Sequence, residues 1–387
     1  MPRLRKALQR LTLTAVATVL GLLLAEAGLR LVAPQQLVSL RPDVWHPDDG
    51  LGWKRAADLD TRINTGAREV RLLTDGEGHR IAALPRPEPA RRVLALGDSF
   101  VAGLQVEARE SLTERLADLL SDRLGEPTAV VNAAVSGWGP EQYLEAARRE
   151  LSRASYDLVV VFLFVGNDTL LEARGPLSPR PPFPRRTLRL PRALSRYEFV
   201  DSLAYPVNDA LEKRSHLYVA GRRALRHPLM RSGLSAAQLP RVFLDGDPES
   251  DRWEVTAHVC RAIADVARDA GAPSLFLLLP GVYQVVPREG ELFVRNAGLR
   301  EADVSFRFAN DQLLLALRKH ALVASDSTPT LRRAARDGDP LFGTLDSHFT
   351  ARGHEVAAAY AAGQVVALLR FLEALSATGR VSPAEEP

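Results

Sequence analysis

The chain has 387 residues, 46% apolar and 25% charged, so a sizeable core fits one large or two modest domains. Fifty basic against 47 acidic side chains leave a net charge of +3, too weak a balance for a nucleic-acid-binding surface. A single cysteine, Cys260, excludes an intrachain disulfide and, set among apolar residues at helical spacing, reads as a core side chain.

The chain opens on an export segment. Arg3, Arg5, Lys6 and Arg10 precede the uncharged run "LTLTAVATVLGLLLA". Residues 1–33 therefore read as a cleaved signal, with small residues at Ala25–Ala27, or as an uncleaved anchor from about Leu11 to Val32. That stretch of roughly 22 residues is long enough to cross a bilayer. Glu26 and Arg30, four apart, are expected to pair near the outer interface. The positive-inside rule holds the N-terminus in the cytoplasm and sends the rest of the chain outward. Residues 34–90, rich in Pro, Asp and Gly, read as an irregular linker region. Two short strands are expected there, at "GLGWKR" and "EVRLLTDG", and "LPRPEPARR" leads into the main domain.

From about residue 91 to 375, strands alternate with helices. "VLALG" is a short buried strand. "ESLTERLADLLSDRLG" is an amphipathic helix ending on a capping Gly. "TAVVNAAVSGWG" is a strand and loop, and "PEQYLEAARRELSRA" a helix with Pro140 in its first turn. "YDLVVVFLFVGND" is apolar enough to be buried on both faces. An insertion, about 169–252, reads as irregular. Its Pro- and Arg-rich part, Arg174–Arg196, is a solvated loop or a rim over an anionic or membrane-bound substrate. Beyond it come the helix around Cys260, the strand "PSLFLLLPG", the helix "ANDQLLLALRKH", the strand "ALVAS" and a long closing helix. This order predicts a parallel sheet covered by helices on both sides.

In such sheets ligands gather at the carboxyl ends of strands. Three consecutive strand ends deliver Asp98 and Ser99, then Asn132 and Gly137, then Gly166, Asn167 and Asp168. A serine nucleophile needs a base, a group that orients the base, and donors for an oxyanion. Ser99 precedes a helix. Gly137 allows close approach of its N–H, Asn167 offers an amide, and "LDSHF" offers His348 with Asp346. Asp98 reads as turn support, Asp168 as a backbone-binding side chain, and His354 as a structural residue. His348 and His354 lie six apart with no further ligand cluster, so no metal is expected.

"LGDSF", Gly137 after "NAAVS", "GND" and the late "DSH", in that order, resemble the four blocks of the SGNH hydrolase superfamily, the GDSL esterases and lipases. The likeness spans about Val93 to Leu372 apart from the insertion. It implies a three-layer α/β/α, flavodoxin-like fold with a central parallel sheet. It also implies a serine esterase working through an acyl-enzyme without a cofactor: Ser99 as nucleophile, His348 as base, Asp346 orienting it, and Ser99, Gly137 and Asn167 as oxyanion donors. The first helix and "LGW" at Leu51–Trp53 resemble a membrane-tethered bacterial branch, which implies an acylated carbohydrate or small ester substrate at the cell envelope. The usual pattern has Asp three residues before His; here the spacing is two, as in SGNH proteins that O-acetylate polysaccharides, so acyl transfer stands beside hydrolysis. A non-catalytic carbohydrate-binding module on the same scaffold is the third reading.

Overall fold

The apolar runs assemble into one sheet in the computed structural model, which describes residues 2–39, 42–84, 87–169, 207–208, 210–235, 239–243, 251–336, 338–344 and 346–377. In chain order the strands are β1 (Trp45–Asp48), β2 (Gly52–Arg55), β3 (Asp60–Asn64), β4 (Glu69–Thr74), β5 (Arg80–Ile81), β6 (Arg91–Leu96), β7 (Thr128–Asn132), β8 (Leu158–Phe164), β9 (Ser274–Leu279) and β10 (Ala324–Asp326). The main sheet runs β10-β9-β8-β6-β7-β5-β4-β3. From β10 to β7 every neighbour is parallel. Strand β8, "LVVVFLF", is buried along almost its whole length between β6 and β9, which explains why it has no polar face.

The strand order places the helices. The step from β6 to β7 runs one way along the sheet, whereas those from β7 to β8, β8 to β9 and β9 to β10 run the other way. Right-handed crossovers taken in opposite directions put their helices on opposite faces. Helix Leu112–Leu124 accordingly packs with the closing helix Ala351–Ala377, while Pro140–Arg153 packs with Asp251–Asp269, and that helix with Phe308–Lys319. The predicted caps are present: Gly125 closes the first of these helices at φ +73°, and Pro140 opens the third. Cys260 is fully buried.

Residues 34–90 depart from the irregular reading. The two expected strands are β2 and β4, but β1, β3 and β5 accompany them, and β3–β5 extend the parallel sheet in antiparallel fashion. Strand β4 alternates, with Val70, Leu72 and Thr74 inward and charged residues at Glu69 and Arg71 outward. Such half-buried strands of two to six residues carry a weaker signal than a wholly apolar run. Strands β1 and β2 form a separate antiparallel hairpin.

The insertion is not wholly irregular either. Helix His216–Arg231 lies within it, buries Val219 and Met230, and is capped by Ser215. The Pro- and Arg-rich stretch Arg174–Arg196 lies outside the described residues. The N-terminal helix covers Pro2–Val32, and its Leu4–Val32 part is long and apolar enough to cross a membrane.

Candidate active site

Strand β6 ends at Leu96, and the chain turns sharply at Gly97. A Cβ there would sit 2.6 Å from a Val101 methyl, so only glycine lets the next helix begin so close. Asp98 then caps the short helix Ser99–Ala102, its Oδ1 accepting from the Phe100 N–H at 2.9 Å. Ser99 is the first helical residue and stays half-buried, above a floor of Phe100, Val101 and Ala102.

His348 reaches Ser99 from the other end of the chain: its Nε2 lies 2.8 Å from Ser99 Oγ. The ring packs on Phe100, centroids 5.0 Å apart, and Phe100 in turn meets Phe164 and Phe349. The loop that carries the histidine is pinned by the Phe342–Phe349 bridge and by the Gly343 N–H donating to the His348 carbonyl at 2.8 Å. Within it Ser347 has φ +59°, a left-handed conformation that folds Asp346 back toward the histidine. Asp346 Oδ1 accepts the His348 backbone N–H at 3.2 Å, and Oδ2 lies 3.7 Å from His348 Nδ1. The same Oδ2 accepts from the Thr65 hydroxyl at 3.3 Å. The two-residue spacing is thus compatible with an Asp–His pair, though at ion-pair rather than hydrogen-bond distance.

The donor loops close round the same strand ends. After β7 the chain is bound to the end of β6, Val135 N–H donating to the Gly97 carbonyl at 3.3 Å. Asn132, at the β7 terminus, is buried and structural: its amide donates to the Val101 carbonyl and to Thr113 Oγ1, both at 3.0 Å. Gly137 adopts φ +83°, which a side chain would strain. The β1–β2 hairpin clamps this loop. Trp53 Nε1 donates to the Ser136 carbonyl at 3.2 Å, Trp138 Nε1 to the Trp53 carbonyl at 3.0 Å, and Arg55 to the Ala134 carbonyl.

Asn167 follows β8, and its Nδ2 donates to Asp98 Oδ2 at 3.1 Å. One amide hydrogen is thereby spent on fixing the side chain. Asp98 thus both caps the Ser99 helix and orients Asn167. Burial raises its carboxyl above the ordinary range, against the opposing pull of the Phe100 N–H, the Asn167 amide and the nearby His348 ring. Asp168 is driven well above its ordinary range by burial and by Asp98; it accepts from Tyr143 at 3.1 Å and from the Phe164 N–H at 2.8 Å. His354 is buried beneath the site, accepts the Leu112 N–H at 3.2 Å, and burial lowers its pKa to about 3, which keeps it neutral.

The structure therefore brings Ser99, Asn167, Asp346 and His348 into one connected set and places Gly137 on the loop bound to the same strand end. Sequence reasoning missed the supports, Thr65 and Trp53, and the contact of Asp98 with Asn167. Trp53 lies in the "LGW" that enters the sequence reading only as part of a resemblance, and nothing in the sequence singles out Thr65. Among the described residues no group of three or more His, Cys, Asp or Glu is arranged to hold a metal ion.

The family model of GDSL-like lipase/acylhydrolases matches residues 95–356, about two thirds of the sequence, and the chain belongs to that family. It is an ester-bond hydrolase by that membership. No curated protein matches the chain. Solved structures similar to it include a lipolytic G-D-S-L family protein from Veillonella parvula, at 13% identity and TM-score 0.37, covering 70% of this chain and 94% of that one. The psychrotrophic esterase EstA from Pseudoalteromonas is similar at 12% identity and TM-score 0.37, covering 72% and 99%. A variant of Axe2, an acetyl-xylooligosaccharide esterase from Geobacillus, is similar at 11% identity and TM-score 0.37, covering 71% and 93%.

Proposed function

We propose that the protein cleaves O-acetyl or other short-chain esters of a carbohydrate or small alcohol at the cell envelope, through an acyl-enzyme on Ser99. The 2.8 Å contact between Ser99 Oγ and His348 Nε2 carries this reading. His348 takes the hydroxyl proton as Oγ attacks the ester carbonyl, and the carbonyl electron pair moves onto oxygen. The N–H groups of Ser99 and Gly137 and the Asn167 amide are the proposed donors to that oxyanion. Collapse of the tetrahedral intermediate expels the alcohol, which receives the proton from His348. Water, deprotonated by the same imidazole, then attacks the acyl-enzyme; the acid leaves, and Ser99 regains its proton. Asp346 steadies the imidazolium formed in each half-reaction.

The apolar first helix, with its basic N-terminal flank, supports an extracytoplasmic catalytic domain. A series of p-nitrophenyl esters from acetyl to long-chain acyl, together with acetylated glycans, tests the substrate class. Hydrolysis confined to short acyl groups and abolished by Ser99→Ala is the expected result. Preference for long chains overturns the acyl assignment, and full activity in Ser99→Ala overturns the mechanism.

A further inference from the structure

We infer that the N-terminal helix is retained in the mature protein as a membrane anchor, clamped to the catalytic domain by Glu26. This rests on the export-segment reading above and not on the chemistry at Ser99.

The clamp is a helix cap supplied from 189 positions away. Helix His216–Arg231 begins with backbone N–H groups that no helical carbonyl can satisfy. Glu26 fills that role. Its Oε2 accepts from Ser215 Oγ and from the Leu217 N–H, both at 2.8 Å, and its Oε1 from the His216 N–H at 3.0 Å. Ser215 Oγ covers the next donor, the Tyr218 N–H, at 3.1 Å. Arg30, one turn on from Glu26, donates to Oε1 at 2.8 Å and to the Arg214 carbonyl at 2.8 Å. A carboxylate at a helix N-terminus is also favoured by the helix dipole.

The junction continues past the helix. Gln35 N–H donates to His216 Nδ1 at 2.7 Å, Val38 N–H to the Glu212 carbonyl at 3.1 Å, and Arg223 to Gln35 Oε1 at 3.1 Å. Cutting among the small residues Ala25–Ala27 separates Glu26 from this junction or leaves it at a frayed new terminus. The donors it covers, and the guanidinium of Arg30, then lose their acceptor. A disposable leader has no reason to carry the cap of an internal helix.

What covers the rest of the helix follows from its surface. Leu11, Leu13, Val16, Val19, Leu20 and Leu23 are each at least half exposed, and the most apolar stretch of the helix is not buried against the rest of the protein. The uncharged stretch Leu11–Ala25 rises about 22 Å, and the long side chains of Lys6 and Arg10 before it can snorkel to the inner headgroups to complete the crossing of a hydrocarbon core. Lipid is the occupant that this apolar cylinder fits. Glu26 and Arg30 then mark the outer interface, where the catalytic domain docks against the last turns of the helix.

The test uses the full chain with a C-terminal tag, expressed in a bacterial host and recovered from membranes. Intact-mass measurement is expected to give the unshortened chain of 42.4 kDa plus the tag, in a fraction that resists carbonate extraction. A folded, active protein whose sequence starts near Gly28 overturns the inference. Limited trypsin digestion reads the clamp separately. Glu26→Ala is expected to speed cleavage after Arg214 about tenfold, and Glu26→Gln, which retains an acceptor oxygen, less. Unchanged cleavage in Glu26→Ala contradicts the clamp. Ester hydrolysis assayed alongside distinguishes these outcomes from failure of the Ser99 mechanism, because a cleaved but active chain sinks only the anchor.

Discussion

His348 Nε2 lies 2.8 Å from Ser99 Oγ, across 249 positions of sequence, whereas its Nδ1 is 3.7 Å from Asp346 Oδ2. The Ser99–His348 contact is thus closer than the His348–Asp346 contact. In the proposed mechanism, proton transfer depends on the first contact directly and on the second only through orientation and charge. His348→Ala is therefore expected to lower kcat/KM by about 10⁴-fold or more, and Asp346→Ala by at least tenfold less than that. Steady-state kinetics on a p-nitrophenyl ester checks the order; an Asp346→Ala loss equal to that of His348→Ala contradicts it.

The Asp–His pair depends on an unusual backbone at Ser347. With φ +59° it occupies a region that Gly enters freely and that β-branched residues almost never adopt. Ser347→Gly is expected to keep activity within a few-fold of the parent. Ser347→Val is expected to lose most of it while far-ultraviolet circular dichroism stays unchanged. Equal activity of the two variants rules out a role for this conformation in placing Asp346.

Asn167 and Asp98 act together through the 3.1 Å hydrogen bond between them. Removing an oxyanion donor typically costs about 10²–10³ in turnover. Asn167→Ala is expected to show that loss in kcat with KM little changed. Asp98→Ala is expected to move kcat the same way, and Asp98→Asn less, since its amide oxygen still accepts from Asn167. A change confined to KM assigns Asn167 to ground-state binding instead.

Much of this site is legible in the sequence because Ser99 and Asn167 follow directly on apolar strands and His348 directly precedes the closing helix. "VLALGDS" and "VVVFLFVGND" announce both a buried strand and its polar terminus, and "LDSH" precedes a long helix. The supports are not legible. Thr65, just past the end of β3, and Trp53, in β2, reach the site from short antiparallel strands or their ends, and their contacts, to Asp346 and to a backbone carbonyl, leave no local pattern. The helix at 216–231 was obscured for a related reason: half of its N-terminal cap comes from Glu26, in the first helix. The left-handed turn at Ser347 lies inside the loop closed by the Phe342–Phe349 bridge, and no local residue pattern announces it.

Two histidines contribute to the pH dependence of stability with opposite signs. Burial pulls His79 down, but hydrogen bonds and charge from Asp75 and Glu150 outweigh it and raise the pKa to about 9. The folded protein then binds the proton more tightly than the unfolded chain. That stabilisation is complete below about pH 6.5 and is lost as pH rises through 9. His354 behaves in reverse: burial, then the charges of Arg80 and His348, lower it to about 3. The unfolded chain takes up its proton between about pH 6.5 and 3, so stability falls as pH drops through that window. Thermal melting across pH is expected to give a flatter alkaline limb in His79→Gln and a flatter acid limb in a folded His354→Gln. Limbs parallel to those of the parent in both variants contradict these assignments.

The central claim is that Ser99 is the residue that takes the acyl group. Peptide mass spectrometry of the full chain after treatment with a fluorophosphonate tests it most directly. The account predicts a single adduct on the peptide containing Ser99, lost in His348→Ala at matched exposure, with hydrolysis falling in step with labelling. An adduct on another serine, or full hydrolysis in a protein whose Ser99 stays unlabelled, contradicts it.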